Sequence, residues 1–300
     1  MDDRAPGSLG PPEAERPRPP AAQRPHPPAA QRPHPPAARR RRRGTRITER
    51  DRELLSFLAE HQLVLATHVQ AQLGISSRAA YARLQALGAA GLLAHEPARF
   101  HGQPGCFQIT RRGLQMIGSE LSRPRIDLSC YRHDVGLAWL WLAARSGVFG
   151  PMREVYSERR LRSHDGTVDG RATPLGVRLG GVGPGGRDRL HYPDLILVGT
   201  DGRRIAIELE LSPKPRRRLE RILAGYAADA HIDVVLYLVD DARVAGAVRR
   251  AAANLGISPL VHVQRARLAG PKPTSSAGLL ADRATWRGRA TAPRDAELTR

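Results

Sequence analysis

The segment from His191 to Lys214, HYPDLILVGTDGRRIAIELELSPK, restricts the folds open to this chain more than any other. It reads as two buried strands joined by a tight turn at Asp201–Gly202. Pro193 stands at the head of the first strand, where a missing ladder donor is tolerated. Three carboxylates break the apolar pattern: Asp194 where the first strand starts, and Glu208 and Glu210 in the second. Side chains alternate along a strand, so Glu208 and Glu210 point to the same face. A carboxylate inside a sheet must be paired with a cation or hold a metal. The segment therefore predicts a sheet interior and a candidate site together.

The surrounding sequence supplies the rest of such a sheet. Leu128–Ser146 contains VGLAWLWLAA, an apolar helix suited to packing on strands, with His133 and Asp134 in its first half. That His-Asp pair reads first as a capping or packing feature and second as part of a site. Glu154–Arg162 reads as a strand with polar alternation, and 163–190 as a Gly-rich basic mobile loop or hairpin insertion. The GGVGPGG run inside it lacks the GK[ST] ending of a phosphate-binding loop, which excludes a nucleotide site there. Beyond the paired strands, Arg216–Asp229 predicts a helix with the stripe Leu219, Ile222, Leu223 and Tyr226. Residues 232–239, IDVVLYLV, predict an interior strand, Ala242–Leu255 a helix and Leu260–Val263 a last strand. Residues 124–265 thus predict an α/β domain, a mixed sheet flanked by helices.

Residues 45–123 predict a smaller N-terminal domain, a winged helix-turn-helix. Thr48 and Asp51 signal a helix start ahead of Leu54, Leu55 and Leu58. Thr67–Leu73 forms a short second helix, Gly74 a turn, and Ser76 the cap of a third helix running to about Ala90. Ala80, Leu84 and Leu87 face inward in that helix. Ser77, Arg78, Tyr81 and Gln85 remain to face outward, and a third helix in this plan enters the major groove. Leu92–Leu93 and Cys106–Ile109 read as two strands around a wing with Arg99 and His101, and Thr110 opens a helix bearing Arg111 and Arg112. Arg78, Tyr81 and Gln85 are expected near base edges. Arg83, Arg99, Arg111 and Arg112 are expected near phosphates. A protein-interaction module of the same shape is the plainer alternative.

The 300 residues carry 48 Lys and Arg against 29 Asp and Glu, a formal charge of +19. Such an excess attracts polyanions, double-stranded DNA first among them. The cations are almost all arginine, and with abundant Ala, Gly and Pro this fits the codon bias of a GC-rich genome. Charge alone therefore says less than its size suggests. Lysine occurs only at Lys214 and Lys272, so a lysine close behind the paired glutamates stands out. No apolar run approaches a membrane span, and the N-terminus lacks the features of a signal peptide. Cys106 and Cys130 lack ligand spacing, which points to a reducing cytoplasm and no structural zinc. Residues 1–44 repeat PPAAQRPH and end in Arg39–Arg43, a Pro/Arg-rich arm predicted to be disordered: a DNA-phosphate arm or a solvated linker. Residues 266–300 read as a disordered basic tail, in which Trp286 has no evident core to join.

Hard cations such as Mg2+ or Mn2+ take carboxylate oxygens, water and substrate phosphate, and they orient water for phosphodiester cleavage. Asp194, Glu208 and Glu210 are the candidate metal ligands, and Lys214 completes a candidate catalytic set by stabilising developing charge. The competing reading has Arg203, Arg204 and Arg216–Arg218 neutralise the acids as a structural ion network. Pro193–Asp194 and Glu208 resemble the PD and acidic positions of the PD-(D/E)xK nuclease superfamily, and the element order resembles its restriction-endonuclease-like fold. The superfamily's lysine, two residues after the acid, is Glu210 here, and Lys214 is the nearby substitute. Across 45–265, a winged helix, a linking helix with a His and a PD…ExE half-site resemble the actinobacterial replication-relaxation family. That resemblance implies a cytoplasmic DNA-binding protein of a plasmid or other mobile element, acting in replication initiation or DNA relaxation beside plasmid replication or mobilisation proteins. Two other functions compete with it: a metal-dependent site-specific endonuclease or nickase, and a transcriptional regulator whose second domain makes a homodimer.

Overall fold

A computed structural model describes residues 46–98, 103–167, 174–183, 186 and 188–266. The arm, most of the tail, Arg99 and His101, which were expected in a wing, and parts of the Gly-rich stretch lie outside the described residues.

The chain begins with three helices, α1 (Glu49–Glu60), α2 (Ala66–Leu73) and α3 (Ser77–Ala89). Thr48 caps α1 through a reciprocal box with Asp51. Gly74 ends α2 with a φ of 61°, a left-handed conformation that favours glycine. The Ser76 hydroxyl accepts from the Ala79 amide to start α3. Strands β1 (Leu93–Glu96) and β2 (Cys106–Ile109) pair antiparallel, and α4 (Arg111–Met116) follows under a Thr110 cap. Leu54, Leu58, Leu84, Leu87 and Phe107 close the core among these elements.

A 3-10 turn, Leu128–Cys130, leads into α5 (Tyr131–Arg145). Next come β3 (Met152–Ser157) and α6 (Glu158–Thr167). A hairpin of β4 (Val177–Val182) and β5 (Asp188–His191) precedes the paired strands β6 (Leu195–Gly199) and β7 (Arg204–Glu210). The chain continues through α7 (Arg216–Ala228), β8 (Val234–Val239), α8 (Ala242–Asn254) and β9 (Val261–Arg265). Five strands make one mixed sheet in the order β3-β6-β7-β8-β9. The β3–β6 and β6–β7 pairs are antiparallel, whereas β7–β8 and β8–β9 are parallel. Helices α7 and α8 cover one face, over Ala206, Val235 and Tyr237. Helix α5 covers the other, over Leu197, Ile207 and Leu236. Central strands buried on both faces explain the unbroken apolar runs in their sequence.

The expected strand Glu154–Arg162 divides. Its first part is the edge strand β3, and the rest is α6. ERRLR carries a single apolar residue, Leu161, which is buried, and Arg162 donates to Glu158 one turn earlier. The insertion forms the separate β4–β5 ladder, on which α7 packs closely. A Cβ at Gly225 would lie 2.7 Å from the Arg178 carbonyl oxygen.

Helix α5 joins the two layers. Ala138 and Leu142 belong to the core of the N-terminal elements, and Leu140, Ala143 and Ala144 belong to the core of the sheet. Polar bonds reinforce this junction. The buried Glu60 carboxylate accepts from Ser157 Oγ at 2.7 Å and from Arg160. Arg159 donates to the carbonyl oxygens of Ala59 (3.0 Å) and Ser122 (2.6 Å). No described helix is long and apolar enough to cross a membrane.

Candidate functional site

The acids meet at one end of the central sheet. Asp194 immediately precedes β6, and the antiparallel register pairing Leu195 with Ile207 sets it across from Glu208. Alternation along β7 sends Ile205, Ile207 and Leu209 to the α5 side and Glu208 and Glu210 to the α7 side. Both glutamates are buried.

Each acid has its own partner. Asp194 Oδ2 accepts from the Leu209 amide at 2.7 Å and lies 3.2 Å from His133 Nε2. His133 Nδ1 lies 3.6 Å from Asp134 Oδ1, so the imidazole sits between two carboxylates. Burial pulls the His133 pKa down, but Asp194 and Asp134 outweigh it and raise it to about 11, leaving a cation at neutral pH. Burial pushes the Asp194 carboxyl up, yet His133, the Leu209 amide and Lys214 hold it below its ordinary range. Glu208 Oε1 lies 2.7 Å from His191 Nε2 and also accepts from the Tyr226 hydroxyl. Burial lowers the His191 pKa, and the Glu208 charge more than reverses that. Lys214 donates to Glu210 Oε2. Burial raises the Glu210 carboxyl in spite of that bond.

The four residues read as catalytic from sequence therefore gather at one place, with three additions. His133 is the first: it lies between Asp194 and its own neighbour Asp134. No local pattern marks it, because its partner lies on another element far along the chain. His191, at the end of β5, is the second. The third is Tyr226, hidden in the apolar stripe of α7. A buried tyrosine hydroxyl needs a partner, and that rule was the available signal. The arginines expected to neutralise the acids do not do so. Arg203 and Arg204 stand at the opposite end of β7, and Arg216 donates to Glu220 within α7.

A divalent ion such as Mg2+ or Mn2+ needs several oxygen donors directed at one point. Asp194 Oδ1, Glu208 Oε2 and Glu210 Oε1 make no hydrogen bond within the described residues. No group of three or more His, Cys, Asp or Glu side chains converges to hold a metal ion among those residues.

A second surface lies on α3. Ser77, Arg78 and Gln85 are exposed, and Tyr81 is 42% exposed with its ring edge toward Phe107, 6.2 Å between centroids. Arg111 and Arg112 are exposed at the start of α4. Arg83 differs from expectation: its guanidinium grips both oxygens of the buried Asp51 on α1. Arg83 lies three residues after the inward Ala80 and four before the inward Leu87, so helical spacing turns it toward α1 and away from a phosphate. Arg99 lies outside the described residues.

Compared with known proteins, the chain matches no protein-family model and no curated sequence.

Proposed function

We propose that this protein binds double-stranded DNA through a winged helix-turn-helix made by α1–α4 and β1–β2, with α3 in the major groove. The observation that carries this reading is the outer face of α3. It presents Ser77, Arg78, Tyr81 and Gln85 to solvent while Ala80, Leu84 and Leu87 hold the helix to its core. Side chains of this kind on a groove-sized helix suit base edges, and Arg111 and Arg112 beside them suit phosphates. The sheet layer reads as a restriction-endonuclease-like scaffold, a reading supported by the order β3-β6-β7-β8 with its antiparallel and parallel pairs. The setting we propose is the cytoplasm, in replication initiation or DNA relaxation of a plasmid or other mobile element. Fluorescence anisotropy with duplex DNA tests the core of this reading: wild type binds, and Arg78→Ala with Gln85→Ala binds more weakly.

A metal-dependent endonuclease is the second reading, favoured by the meeting of Asp194, Glu208, Glu210 and Lys214 at one sheet end. Incubation with supercoiled plasmid and Mg2+ or Mn2+ separates the two. Nicking that disappears in Asp194→Ala supports the enzyme, and intact plasmid supports binding alone.

A further inference from the structure

Carboxylates brought together inside a sheet need positive charge beside them, from a metal ion or from the protein. Here each acid has a protein partner within hydrogen-bond reach, and each partner comes from a different element. His133 on α5 faces Asp194 at 3.2 Å, His191 at the end of β5 faces Glu208 at 2.7 Å, and Lys214 in the turn before α7 holds Glu210. Lys214 is engaged with Glu210. The Leu209 amide and the Tyr226 hydroxyl take further acceptor capacity. Among the described residues no set of three donors converges on one point.

We infer that this cluster is a metal-independent ionic staple. It fastens α5, β5 and the start of α7 to the end of β7, and it takes no divalent cation at millimolar concentration. A divalent ion entering there competes for carboxylates already paired with His133, His191 and Lys214. Because α5 also belongs to the N-terminal core, the pair His133–Asp194 fixes the α1–α4 layer relative to the sheet.

The inference is independent of DNA binding and is tested without an activity assay. The full chain is titrated with Mn2+ at neutral pH, with free Mn2+ read by electron paramagnetic resonance. The expected result is no saturable uptake that Glu208→Gln removes. Uptake of one ion per chain at millimolar affinity or tighter, lost in Glu208→Gln, overturns it. His133→Ala and Lys214→Ala uncover carboxylates and are expected to raise Mn2+ affinity. A lower affinity in His133→Ala marks that residue as a ligand and also overturns the inference. For the staple itself, His133→Ala and Asp194→Asn each lower the melting temperature, and together they lower it by less than the sum. Additive losses contradict a staple. Should the variants fail to fold, the wild-type titration alone decides the metal question. A DNA-binding assay on the same samples keeps the two proposals apart, because lost DNA binding leaves the titration result standing.

Discussion

Arg83 and Asp51 show how one residue's role depends on its partner. Asp51 is buried, and Arg83, hydrogen bonding and the Thr48 amide lower its carboxyl pKa against the opposing effect of burial. Removing one partner of a buried pair leaves an uncompensated charge. Arg83→Ala is therefore expected to lose about 3 kcal/mol of stability in urea unfolding, with little change in DNA affinity per folded molecule. An arginine acting on phosphate predicts the reverse. The histidines make a second residue-scale prediction. His61 and His68 are buried, their Nε2 atoms have no hydrogen-bond partner among the described residues, and burial holds their pKa values down to about 3. The folded state binds fewer protons than the unfolded chain at these sites, so stability falls as pH drops below about 6.5. The expected loss is about 2 kcal/mol for each histidine at pH ~5. His133 acts in the opposite direction. Its raised pKa of about 11 gives a contribution complete below the ordinary histidine value and lost as pH rises toward that number. Melting temperature measured across pH is thus expected to peak between the two effects, and replacing His61 and His68 with Gln flattens the acid side.

Elements carry the DNA prediction. Contacts from Arg111 and Arg112 at the start of α4 would be electrostatic, so each Ala variant is expected to weaken all sequences alike and to reduce the salt slope by about 1. Gln85→Ala on α3 is expected to relax base preference at one position by about 1–3 kcal/mol and to leave the salt slope alone. Binding measured over a salt series on two DNA sequences separates these outcomes. The elements were also the most legible scale in the sequence. Periodicity gave α3 and α7, and alternation in IAIELE put both glutamates on one face. The turn from β3 into α6 was not legible, because ERRLR satisfies a polar strand and a one-residue helical stripe equally well. Arg83 was legible in principle: its spacing from Ala80 and Leu87 turns it inward. The cations that neutralise the acids were only partly legible. Lys214 is four residues from Glu210, whereas His133 meets Asp194 only through tertiary packing.

At the scale of the molecule, α5 matters most. Its residues alternate between two cores, and Trp139 and Trp141 face His68 and His61 at 4.6 and 5.6 Å between ring centroids. The sequence boundary at residue 123 therefore separates two layers that share a helix. Residues 46–266 are expected to unfold in one cooperative transition, and a fragment ending at 123 is expected to stay unfolded because it lacks the α5 surface. Two separated transitions in calorimetry, or a folded fragment, contradict this. The central claim is that the outer face of α3 reads duplex DNA. The most direct measurement is the anisotropy of labelled duplex DNA titrated with wild type and with the Arg78→Ala/Gln85→Ala variant, both checked for an unchanged melting temperature. The account predicts salt-dependent binding by wild type and at least a tenfold loss in the variant. Equal affinity of the two folded proteins, or no binding by wild type at low salt, would contradict it.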